Sequence, residues 1–103
     1  MIDLSLYKEQ TEEVKLFDSS VIHLKKPTQG LIIEMMAVEN QKGKKPLEII
    51  KEVNTVLAKV LSNNTEEKQF TTDYIQDNFD IALATSFIKG YMDFATKIVT
   101  QDF

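Results

Sequence analysis

Cysteine, arginine and tryptophan are all missing from this chain of 103 residues, and the first two absences each remove a class of chemistry. Without cysteine there is no disulfide, no thiolate nucleophile and no zinc–thiolate site, a composition that suits a reducing compartment. All 12 basic residues are lysine, so the planar guanidinium fork that reads guanine edges or clamps phosphate is lacking. The net charge of −4 points the same way. Phosphate neutralisation needs clustered positive charge, and no nucleic-acid role is expected. Histidine occurs once, at His23, with no second imidazole or thiol to complete a metal site or orient a general base. Gly30, Gly43 and Gly90 are too scattered to form a phosphate-binding loop.

Long apolar runs are missing too. The densest, Leu31 to Val38, is eight residues long and contains Glu34, too short and too charged to span a bilayer. Asp3 places an acid where a secretory signal carries positive charge. The expectation is a cytoplasmic protein with no membrane segment, in which the glycosylation-like Asn63-Asn64-Thr65 is accidental.

Carboxylates are the abundant reactive groups, and their spacing is structural. Asp73, Asp77 and Asp80 do not follow a calcium-loop pattern; as acids near helix N-termini they favour the macrodipole. Glu12-Glu13 and Glu66-Glu67 read as solvated loop charge, and Ser19-Ser20, with no base nearby in sequence, as turn residues. No catalytic residue, cofactor or metal ligand is expected, and the chain does not read as an enzyme.

The residues that are present describe one mainly α domain over 1–103, a compact body of three to four helices behind a small N-terminal β-hairpin. Ile2, Leu4 and Leu6 alternate as one strand, Val14 and Leu16 mark a second, and Lys8 to Glu12 supplies a polar connection. Val21 to Leu24 adds a brief third strand before Lys25-Lys26-Pro27. A helical core over 27–103 follows. Pro27-Thr28 opens a helix of about a dozen residues whose apolar members, Leu31, Ile32, Ile33, Met35, Met36 and Val38, point nearly all round the axis. The same octet also fits a central strand, which periodicity alone does not exclude. Pro46 suits the first position of the next helix, where Ile49, Ile50, Val53, Val56, Leu57, Val60 and Leu61 form one arc. Thr71 or Thr72 caps a short helical turn through Ile75.

The last helix, expected from an Asp77-Asn78 cap to Phe103, carries the widest apolar surface. At about 100° per residue, Leu83, Phe87, Tyr91, Phe94 and Ile98 share a side, with Ala84, Ile88, Ala95 and Val99 beside them. That covers roughly half the circumference, where a helix on one side of a core needs a stripe of about 100°. A second partner is implied. Ala82, Ser86 and Gly90 run along one edge at the four-residue spacing that lets another helix approach closely, and Met35 and Met36 have thioethers suited to adaptable apolar contact. The candidate partner or oligomer interface is therefore Leu31, Ile32, Met35, Met36, Phe87, Tyr91, Phe94, Ile98 and the terminal Phe103.

The stretch Phe79-Asp80-Ile81-Ala82-Leu83-Ala84, continued by Phe87-Ile88-Lys89-Gly90-Tyr91-Met92-Asp93-Phe94, resembles the C-terminal helix of tail assembly chaperones of long-tailed bacteriophages with noncontractile tails. The acidic balance, the N-terminal strands and the apolar helix after Leu24-Lys25-Lys26-Pro27-Thr28 are similar in order. That family has no invariant motif, so no residue inherits a functional role. The resemblance implies a nonstructural protein made in the cytoplasm of the infected bacterium and absent from the mature virion. It implies self-association into rings, spirals or fibres, and binding of the tape measure protein, whose long apolar helices need protection before tube subunits polymerise around them. A different reading of the acidic balance is a small inhibitor or antitoxin-like protein that masks a basic partner surface.

Overall fold

The computed structural model describes residues 4, 10–40 and 43–101, with side chains described through residue 95 and not beyond. The order of elements is β1 (Thr11–Lys15), β2 (Val21–Lys25), α1 (Gln29–Glu39), α2 (Pro46–Ser62), α3 (Thr72–Asn78) and α4 (Ile81–Gln101). The chain is thus mainly α with a small antiparallel hairpin, as its periodicities predict.

The hairpin lies one strand later than expected. Leu4 has helical backbone, and the rest of the expected first strand, Ile2 and Leu6, falls outside the described residues. The pair that forms is β1 with β2, in register from Thr11 opposite Lys25 to Lys15 opposite Val21. Its loop supplies the reason. Leu16 N–H donates to Ser20 O (2.8 Å) and Ser19 N–H to Leu16 O (3.0 Å), while Ser19 adopts φ 72°. Three-residue hairpin loops end on such a left-handed residue. Asp18 Oδ1 accepts the Ser20 N–H at 3.0 Å, a local bond that favours the turn over any extended alternative.

Helix boundaries follow their capping residues. The Thr28 hydroxyl accepts the Leu31 N–H (3.2 Å) and opens α1, so the apolar octet is helix and not strand. Pro46 stands at the start of α2, Glu48 lies in its first turn and Lys59 in its last, each charge favourable to the dipole. Thr71 caps α3 by accepting the Tyr74 N–H at 3.1 Å. The cap of α4 is Asp80, whose carboxylate accepts the Leu83 N–H at 2.7 Å, and not Asp77-Asn78, which belong to the last turn of α3.

Ile22 and Leu24 of β2, Met35 of α1, Leu57 and Leu61 of α2, Ile75 of α3 and Ile88 of α4 are fully buried in one continuous core. Each such side chain stabilises the fold by roughly 1.5–3 kcal/mol relative to exposure. The body is only 17 Å through its shortest axis, about two layers of structure, so most helices keep one face on solvent.

Residues 63–66 stitch the hairpin to this body. Lys25 N–H donates to Asn63 O (2.8 Å) and Thr65 N–H to His23 O (3.0 Å), placing Asn64 opposite Leu24 as a third, very short antiparallel partner. A lone two-stranded ribbon is marginal in water, and this added edge helps to complete it. The buried Asn64 amide donates to Leu61 O and Lys68 O (both 2.7 Å) and accepts from Lys68 N–H (2.9 Å), which holds the segment in shape.

Candidate interaction surface

Several of the polar groups singled out in the sequence make structural contacts. Among the described residues no group of three or more His, Asp or Glu side chains is placed to hold a metal ion. Asp73 sits in the first turn of α3, Asp80 caps α4, and Ser19 and Ser20 belong to the hairpin loop. A cleft of about 530 Å³ between the start of α1 and the end of α2 has Thr28, Glu34, Lys59, Ser62 and Asn63 on its walls. All five are engaged. Thr28 caps α1, Lys59 Nζ meets Glu34 Oε1 at 2.7 Å, Ser62 accepts the Phe70 N–H, and the Asn63 amide donates to Lys25 O and Lys26 O.

Among the described residues, His23 is a titratable side chain set between two carboxylates. It stands on the outer face of β2, where its Nδ1 meets Glu66 Oε2 at 2.7 Å and its Nε2 lies 3.8 Å from Glu13 Oε2. Hydrogen bonding to Glu66 raises the imidazole pKa, with the charges of Glu66 and Glu13 adding to it. Glu66 also accepts the His23 backbone N–H at 2.8 Å, and these bonds hold its carboxyl down at about 2. Glu66 is therefore not free loop charge, contrary to its sequence reading. The partner is 43 positions away and leaves no local signal.

Apolar side chains left on solvent form the more extensive feature. On α1, Ile33 is 66% exposed and Met36, one turn on, 56% exposed. Between the hairpin and α4, Phe17 (56% exposed) and Leu83 (43% exposed) flank an apolar groove of about 180 Å³ whose walls include Val14, Leu61, Phe79 and Phe87. Edge-to-face contacts order the groove. Phe17 meets Phe79 with centroids 5.1 Å apart, and Phe79 meets Phe87 at 6.4 Å. Such pairs add about 0.5–1.5 kcal/mol beyond their burial, which holds an exposed ring such as Phe17 in place.

The expected interface residues divide three ways. Met35 and Tyr91 are sealed inside the protomer, so neither is offered to a partner by the folded chain. Tyr91 is held there by its hydroxyl, which donates to the Lys25 carbonyl and accepts from Asn63 Nδ2, and burial pushes its pKa up to about 12. Leu31, Ile32, Phe87 and Phe94 are half-buried against the core, and Phe94 stacks on Tyr91 at 6.0 Å. Met36 faces solvent. Ile98 and Phe103 lie outside the described side chains. The core stripe of α4 is Ala84, Ile88 and Ala95 from the flank of the expected apolar arc together with Tyr91 from its centre, with Phe87 and Phe94 at its shoulders. Ile33 and Phe17 were not foreseen as surface. An apolar residue on a helix with no polar face, or in a hairpin loop, carries no mark of what covers it.

No helix among the described residues is long and apolar enough to cross a membrane. No protein-family model matches the chain, and no curated protein or solved structure is significantly similar to it.

Proposed function

We propose that this chain is a self-associating assembly chaperone for an apolar helical client, of the kind found in the tail morphogenesis of long-tailed phages, with the tape measure protein as client. One observation carries the reading: Ile33 and Met36 on α1, and Phe17 and Leu83 beside an aromatic-walled groove, hold apolar area on solvent in a protein of net charge −4. Isolated exposed apolar residues are ordinary, but a ridge one turn long and a lined groove suit helix-in-groove contact. Repeated weak contacts along an extended client gain strength by multivalency, which favours an oligomeric chaperone over a single tight binder. The acidic surface keeps such a protein dispersed while its apolar areas are unfilled.

Light scattering over a concentration series, with and without co-expressed tape measure protein, tests the reading. Oligomers that grow with concentration and a client kept in solution are expected. A strict monomer that leaves the client insoluble overturns it. The paired substitution Ile33→Ser with Met36→Ser locates the surface: both side chains are mostly exposed, so monomer stability should move by no more than about 0.5 kcal/mol each while oligomers or client binding are lost. The acidic-inhibitor reading makes the opposite salt prediction, since binding through charge weakens as salt is added and apolar contact does not.

A further inference from the structure

We propose that His23, clasped between Glu66 and Glu13, forms a proton-governed latch that fastens the 63–66 segment to β2. The geometry suits the doubly protonated ring. Nδ1 faces Glu66 Oε2 at 2.7 Å, and Nε2, on the opposite side, faces Glu13 Oε2 at 3.8 Å. A neutral imidazole has one N–H and one lone pair, so in that form one ring nitrogen turns its lone pair toward a carboxylate. Only the imidazolium offers a proton to both. Glu13 is the cross-strand partner of His23 and shares its face of the sheet. The charged groups around the ring are then Glu13 and Lys15 from β1, Lys25 from β2 itself and Glu66 from the 63–66 segment. The two carboxylates make the close contacts, and neither lysine is paired with the ring.

Glu66 holds the segment twice, through the ring and through the His23 backbone N–H at 2.8 Å. Next to it, Thr65 N–H donates to His23 O, and two residues earlier Asn63 accepts the Lys25 N–H. Loss of the ring contact therefore loosens a strip of main-chain bonds that runs from His23 to the Asn63 amide against Tyr91. The sign follows from linkage. His23 has a raised pKa in the closed state, so its contribution is complete below its ordinary value of 6.5 and fades as pH rises through the closed-state value. Glu66 is depressed to about 2 from 4.5, so its contribution is complete above 4.5 and fades as pH falls toward 2. The latch is tightest between those two ordinary values and weakens on either side of them.

Two NMR readouts on the full chain test the latch, and they must agree. The first is the His23 titration, expected above 6.5 and lowered by Glu66→Gln. The second is amide exchange at Thr65 and Lys25, corrected for intrinsic rates. Its opening constant should rise between mildly acidic and alkaline pH by about tenfold for each unit of His23 shift. In His23→Gln that dependence should vanish while Ile22 and Leu24 stay protected. A His23 titration at or below its ordinary value overturns the latch, as does identical pH dependence in wild type and His23→Gln. The wild-type titration decides the matter by itself if a variant does not fold.

Discussion

Asn64 offers the sharpest test of how the chain is joined. It is the most buried polar side chain described, 2% exposed, and uses its amide for three hydrogen bonds to Leu61 O, Lys68 O and Lys68 N–H. Asn64→Ala removes all three and leaves their partners behind. Leu61 O sits in a buried bond, where an unpaired polar group costs about 1–3 kcal/mol. The two Lys68 groups lie where water can replace the amide in part, so each loses the net value of a bond, about 0.5–1.5 kcal/mol. The sum is about 2–6 kcal/mol, a large share of the roughly 5–15 kcal/mol available to a domain of this kind. Urea titration followed by circular dichroism measures it directly, and the melting temperature should fall by roughly 8–48 °C. Asn64→Asp is the companion: it keeps the acceptor for Lys68 N–H but turns a carboxylate oxygen toward two carbonyls, so it should destabilise at least as much. A loss below about 0.5 kcal/mol in Asn64→Ala would refute the claim that this amide organises the segment.

Gly90 faces open space, with nothing within 4 Å of where a Cβ would stand, so Gly90→Ala should stabilise the protomer in a thermal melt by about 0.5–1 kcal/mol. If the same variant also abolishes oligomers, the small-residue edge of α4 is part of a helix–helix contact. Tyr91→Phe removes a buried hydroxyl that bridges the Lys25 carbonyl and Asn63, and denaturant unfolding should show a cost of about 1–3 kcal/mol. It should also remove the Tyr91 share of the loss of stability above pH 10: with the folded phenol at about 12, its deprotonation favours the unfolded chain.

The helices were legible because each carries its own punctuation. Thr28, Pro46 and Thr71 sit where a helix start needs a side-chain acceptor or a fixed φ, and the arc from Ile49 to Leu61 repeats at the helical period. Alternation alone points to a hairpin one strand too early, since Ile2, Leu4 and Leu6 alternate more strongly than β1, which has Val14 as its single large apolar residue. The loop at Asp18 to Ser20 decides the matter, and its left-handed residue is a serine, where a glycine or asparagine gives a clearer signal. The surface was legible only in part. Surplus apolar area on α1 and α4 was visible, but which members were covered depended on contacts between distant elements. Met35 and Met36 are adjacent in sequence, and one is sealed while the other faces water. The bonds that set this arrangement join residues far apart, His23 with Glu66 and Lys25 with Tyr91, and no local pattern announces them.

The stitching of the ribbon by Asn63 to Glu66 has a consequence for the order of events at the ribosome. β1 and β2 emerge well before Asn64, which supplies their third edge, and the tyrosine that anchors Lys25 comes later still. Closing such wide loops is entropically demanding and slow compared with forming a local helix. The ribbon is thus completed only after the helices that follow it, because the Asn64 edge and the Tyr91 bond to Lys25 exist only once residues 64 and 91 have been made.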